Sequence, residues 1–158
     1  MIARATPKTS PRRCTLLYVE DHAESVMLMK TLLEGRKDLL LHAADAKLGI
    51  ELARTQRPDA ILINVDLAGP SAPEFLKVLR ADPATEAIPV MALAAGAAPE
   101  AIVKRLEAGF FQVLAKPLRA EPFLEAFAFA LEFAAVERSE QNALTSRFVR
   151  PRTPKESK

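Results

Sequence analysis

A chain of 158 residues, 49% hydrophobic and with five glycines, has the size and apolar content of one globular domain that buries its own core. Its formal charge of +2 belongs mainly to the tails, with Arg4, Lys8, Arg12 and Arg13 before the first apolar run and Arg147, Arg150, Arg152, Lys155 and Lys158 at the close. The opening MIARATPKTSPRR has no apolar signal core and no run of about 18 apolar residues exists to span a bilayer, while the lone Cys14 excludes an intramolecular disulfide or multi-cysteine metal site; a cytoplasmic protein is expected.

The first apolar run, CTLLYV (14–19), is short and suits a strand, and AESVMLMKTLLEG (23–35) then places apolar residues at three- and four-residue steps, the period of a helix. The succession returns with LLLHAA (39–44) and AKLGIELARTQ (46–56), then AILINV (60–65) and APEFLKVLRAD (72–82). It closes with PVMALA (89–94) and PEAIVKRLEAG (99–109), then FQVLAK (111–116) and AEPFLEAFAFALEFAAVERSE (120–140). Strand then helix, five times over, predicts an α/β fold with a parallel sheet covered on both faces. Helical character continues through ERSEQNALTS, which predicts a last helix that outruns the domain body until Pro151 stops it, with Leu144 and Phe148 able to zip against a partner. The expected organisation is a basic tail over 1–13, a domain over 14–136, and a helix extension with a second basic tail over 137–158, both tails disordered.

In such a fold, function gathers beyond the carboxyl ends of the strands. Those ends read Glu20-Asp21 after the first strand, Asn64 at the third, Ala94-Ala95 at the fourth and Lys116-Pro117 at the fifth. The stretches LLYVEDH, PDAILINVDLAGPSAPEFLKVLRADPATEAIPVMALAA and EAGFFQVLAKPL together resemble the receiver domain of bacterial two-component response regulators, most of all the receivers attached to hybrid sensor kinases, over about residues 14–134. The resemblance implies a flavodoxin-like (βα)5 three-layer sandwich with strand order 2-1-3-4-5.

It also implies roles for particular positions. Glu20 and Asp21 match an acidic pair that holds magnesium, here as a weak site; hard carboxylate oxygens suit that ion. In isolation the same two residues also suit a solvated helix start, where negative charge favours the dipole. The phosphoacceptor position falls on Asn64, because Pro58-Asp59 stand six and five residues before it and Gly69 five after, as in the family; counting to Asp66 breaks both spacings. A neutral amide cannot serve there, since attack on phosphorus needs an anionic oxygen. Asp66, two residues along an extended chain, stands about 6–7 Å away, too far to replace an acceptor unless the loop folds back. The family's hydroxyl at the end of the fourth strand is matched by Ala94 and its switch aromatic by Val113, while Lys116 and Pro117 match the family's lysine and cis proline. Lys116 has three candidate partners, Glu20, Asp21 and Asp66. His22, with no second histidine in the motif, reads as a solvent-facing helix start.

The last helix supplies a surface. Phe123, Leu124, Phe127, Leu131 and Ala134 are expected to cover the sheet, and Ala126, Phe129, Ala130, Phe133 and Val136 to form a second apolar stripe. With Phe110 and Phe111 they predict an interface on the face made by helix four, strand five and helix five, where the resemblance places dimers and docked partners.

The leading expectation is thus a stand-alone pseudo-receiver that is no enzyme and needs no cofactor. It would act by phosphorylation-independent binding to a sensor kinase, regulator, scaffold or second copy. The alternative is a magnesium-dependent phosphoacceptor that uses Asp66. An enzyme or flavin carrier finds no Gly-rich phosphate loop, no nucleophile with a positioned base, no Trp and a single Tyr. The short basic tail carries no nucleic-acid reading module, and neither nucleic acid nor membrane is an expected partner.

Overall fold

The computed structural model describes residues 13–148 apart from positions 68 and 97, with side chains described up to position 140. The expectations for the outer tails and for the side chains of Leu144 and Phe148 lie outside the described residues. Five strands alternate with five helices: β1 (Thr15–Val19), α1 (Ala23–Leu33), β2 (Leu39–Ala43), α2 (Ala46–Gln56), β3 (Ala60–Asn64), α3 (Ala72–Arg80), β4 (Val90–Ala94), α4 (Pro99–Ala108), β5 (Gln112–Ala115) and α5 (Ala120–Phe148). The strands form one parallel sheet in the order β2-β1-β3-β4-β5. This is the flavodoxin-like arrangement.

Side chains alternate across the sheet, so each strand feeds two cores. Leu17, Val19, Ile61, Ile63, Val90 and Ala92 meet Phe75, Leu76 and Leu79 of α3 and the alanines of α2 on one side. On the other, Leu16, Tyr18, Leu62, Met91, Leu93 and Leu114 meet Met29 and Leu33 of α1 and Phe123, Ala126, Phe127 and Ala130 of α5. Burial on both faces is why β1, β3 and β4 read as nearly unbroken apolar runs rather than as alternating ones.

Local chemistry sets the helix limits. Asp45 caps α2 by accepting from the Leu48 N–H, and Ser71 with Glu74 forms a reciprocal capping box on α3. Gly109 ends α4 at φ 114°, a conformation that disfavours any side chain, and a Cβ there would stand 3.3 Å from Leu76. That reversal turns Phe110 inward. At the amino end of the sheet, Asp59 is 5% exposed; its Oδ2 accepts from the Thr15 N–H at 2.8 Å and its Oδ1 from Arg138 Nη2 at 3.0 Å. The second bond ties α5 to the start of β3. At the carboxyl end the Lys116–Pro117 peptide is cis.

Candidate functional site at the strand ends

Parallel pairing brings the ends of β1, β3, β4 and β5 side by side: Val19 pairs with Ile63, Asn64 with Leu93, and Ala94 with Ala115. The residues just beyond form a cleft of about 490 Å³ lined by Glu20, Asp21, Ser25, Asn64, Leu93 and Lys116, among others. Glu20 is its deepest charge, 1% exposed. One carboxylate oxygen accepts from the Tyr18 hydroxyl at 3.0 Å; the other accepts from the Asn64 amide nitrogen at 2.9 Å and from the His22 N–H at 3.2 Å. Its own backbone is held by Ala43 and by the His42 ring. Among the described residues no cation pairs with Glu20; three uncharged donors carry its negative charge.

Asn64 uses both ends of its side chain. While Nδ2 donates to Glu20, Oδ1 accepts from the Asp66 N–H at 2.9 Å. Only this orientation of the amide puts donor against acceptor on both sides. Of the three candidate partners for Lys116, the structure brings it to Asp66, Nζ to Oδ2 at 2.9 Å. Asp66 is thereby held against Lys116, which lines the cleft together with the buried Asn64.

Ala94 is buried and offers no hydroxyl, and Val113 is half-buried against the α2–α3 core. Pro117 lines the cleft beside Lys116. Asp21 and His22 are exposed, His22 as the residue preceding α1 with no side-chain cap bond.

Tyr18 was not legible as a site residue. It sits two residues before Glu20 on β1, and the period of a strand puts both side chains on one face, so the signal was spacing rather than motif. Burial, and then the charge of the neighbouring Glu20 carboxylate and its hydrogen bond from the hydroxyl, push the Tyr18 phenol well above its ordinary range, with Ser25 opposing.

Whether Glu20 and Asp21 fit a magnesium ion is a question of donors. The ion takes oxygen ligands in a tight octahedron. Both Glu20 oxygens already accept internal hydrogen bonds, and Asn64 turns its nitrogen toward Glu20. Among the described residues no three His, Cys, Asp or Glu side chains stand together in a way that could hold a metal. This arrangement does not fit the ion.

The expected interface needs correction at three positions. Ala126, 3% exposed, and Ala130, fully buried, belong to the core stripe of α5, together with Phe123, Phe127 and Ala134. At 100° per residue these positions fall at i, i+3, i+4, i+7 and i+11, one continuous face, and the two alanines let the helix lie close to the sheet. Leu124 and Leu131, expected inside, flank that face half-buried. Phe110 is 3% exposed because the turn at Gly109 sends it into the core. What remains outward is Phe129 at 59%, Phe133 at 39% and Val136 at 54% exposed. The half-buried Phe111 stands beside them, its ring 5.3 Å from that of Phe133. On α4, Val103 and Leu106 are also exposed.

The doubly wound sheet thus gathers an acidic residue, an amide and a lysine before a cis proline at its carboxyl edge. The family model described as response regulator receiver domain matches residues 16–128. The chain is 35% identical over 107 residues to a protein-glutamate methylesterase/protein-glutamine glutaminase 1 of Cereibacter sphaeroides, a match covering 65% of this chain and 28% of that protein. It is 28% identical over 111 residues to the polar-differentiation response regulator DivK of Brucella anthropi, covering 70% of this chain and 90% of the relative. The signal receiver domain of a LuxO repressor protein from Vibrio parahaemolyticus superposes with a TM-score of 0.73 at 20% identity, over 80% of this chain and 96% of that one. The chain belongs to the response regulator receiver domain family. No helix among the described residues is long and apolar enough to cross a membrane.

Proposed function

We propose that this receiver is a pseudo-receiver, a binding module of a bacterial two-component or phosphorelay pathway that works in the cytoplasm without accepting a phosphoryl group. The observation that carries the reading is Asn64: the position matched to the acceptor holds a neutral amide, 8% exposed, with both polar ends engaged inside the chain. Ala94 and Val113 remove the hydroxyl and the aromatic that would bind and transmit a phosphoryl group. The module needs no cofactor and catalyses no reaction. Incubated with acetyl phosphate and magnesium, the protein is expected to keep its intact mass.

A second reading is favoured by one contact. Asp66, 57% exposed, meets the lysine that in the family touches the phosphoryl group. A gain of one phosphoryl mass that disappears in Asp66→Asn would establish Asp66 as a displaced acceptor and end the first reading.

Without phosphoryl transfer, the module acts through a surface, and the apolar stripe of Phe129, Phe133 and Val136 next to Phe111 is the one we assign, facing a kinase, regulator, scaffold or second copy. Replacing Phe129 and Phe133 together by Asp is expected to weaken self-association or partner capture at least 100-fold, as buried aromatic anchors carry about 2 kcal/mol or more each. The thermal midpoint should move little, since both rings are outside the core. Light scattering and binding titrations check the first statement, calorimetry the second.

A further inference from the structure

The strand-end cleft holds a buried carboxylate that, among the described residues, pairs with no cation. Glu20 is inaccessible, Lys116 is engaged by Asp66, and the charge of Glu20 is met by the Tyr18 hydroxyl, the His22 N–H and the Asn64 amide. Buried carboxylates persist only when their oxygens are paired. Of the three donors, Asn64 alone reaches Glu20 from another strand, and its other end fixes the Asp66 N–H. One side chain thus balances the floor of the cleft and ties β1 to the loop after β3.

We infer that the Asn64 amide takes the place of a divalent cation in this cleft, making the strand-end arrangement complete without metal, and that a carboxylate at position 64 would create a cation requirement. The geometry supplies the reason. With Asp at 64, a carboxylate oxygen replaces the nitrogen now 2.9 Å from Glu20 Oε2, a donor–acceptor contact becomes a contact between two anions, and each of them needs a positive neighbour. The Lys116 ammonium is already paired with Asp66 at 2.9 Å. A hydrated divalent ion bound by carboxylate oxygens of Glu20, Asp21 and position 64 would then supply the missing positive charge. The inference shares the position of Asn64 with the proposed function, but it stands on charge balance and not on phosphoryl transfer or partner binding.

The test compares wild type with Asn64→Asp in a chelator and in millimolar magnesium chloride, with no phosphodonor present. The thermal midpoint of wild type is expected to be the same in both media. Asn64→Asp should melt roughly 5–10 °C lower in chelator and regain most of that loss with magnesium. The single tyrosine gives a second readout in the absence of any Trp: Tyr18 touches Glu20, so its fluorescence should respond to magnesium in the variant and not in wild type. Should Asn64→Asp fail to fold, the wild-type titration still decides. Saturable magnesium binding by wild type, with a matching rise in its midpoint, overturns the inference, as does an Asn64→Asp variant that is as stable as wild type in chelator. Neither result bears on whether wild type gains a phosphoryl mass, so the two proposals fail separately.

Discussion

Truncating Glu20 to alanine is expected to lower the unfolding free energy by about 2–4 kcal/mol, read as a shift in the urea midpoint at unchanged slope. Two effects compete. Removing a buried carboxylate relieves its desolvation, which favours the variant. Against this, the Tyr18 hydroxyl, the Asn64 amide and the His22 N–H lose their acceptor, and each buried donor left unpaired costs about 1–3 kcal/mol. The open cleft admits water to some of them, which keeps the total below the simple sum. The donors should win. Glu20→Gln, which keeps the shape and one acceptor oxygen, is expected to lose about half as much. The sign carries the meaning: a variant more stable than wild type would show Glu20 to be a strained anion held ready for a cation, contrary to the balanced cleft described above.

The second large effect is alkaline. Below pH about 10 the Tyr18 phenol is neutral in both the folded and unfolded chain, and its contribution to stability is fully present. Between its ordinary value of 10 and the raised value in the fold, only the unfolded chain gives up the proton, and the equilibrium is drawn toward unfolding. Stability is therefore lost as pH rises, by at most about 1.4 kcal/mol per pH unit from this group, or about 2–3 kcal/mol by pH ~12. Lysines titrate in the same range, so the comparison is with Tyr18→Phe, which should show a shallower decline above pH ~10 while starting from a lower stability because Glu20 has lost a donor. Because the chain has a single tyrosine, phenolate absorbance is specific: it should appear together with loss of helical signal, not before it. Phenolate formation near pH 10 in the folded protein would mean that Tyr18 is neither buried nor bonded to Glu20.

The architecture was legible because the period of the chain switches between strand and helix five times, and because a sheet buried on both faces leaves unbroken apolar runs such as AILINV. The strand-end residues Glu20, Asn64 and Lys116 were legible because a parallel sheet gathers function at its carboxyl ends and because the resemblance to receivers matches those positions. Their bonding was not. Lys116 had three acidic side chains in reach by sequence, and only the fold of the loop after Asn64 selects Asp66. Tyr18 looked like one more apolar strand residue until its hydroxyl was placed against Glu20. On α5, apolar residues occupy most positions of FLEAFAFALEFAAV, so periodicity cannot say which stripe faces the sheet. The depth available beneath the helix decides it, admitting Ala126 and Ala130 and leaving Phe129 and Phe133 outside.

The bond between Arg138 and Asp59 has a mechanical consequence. β3 carries Asp59 just before its first residue and Asn64 as its last, so the same strand that closes the cleft at one end holds α5 at the other. Past Arg138 the helix continues to Phe148, ten residues or about 15 Å of rod at 1.5 Å per residue. The bond from Arg138 to Asp59, together with the buried face of Phe123, Ala126, Phe127, Ala130 and Ala134, sets the direction in which the helix leaves the sheet.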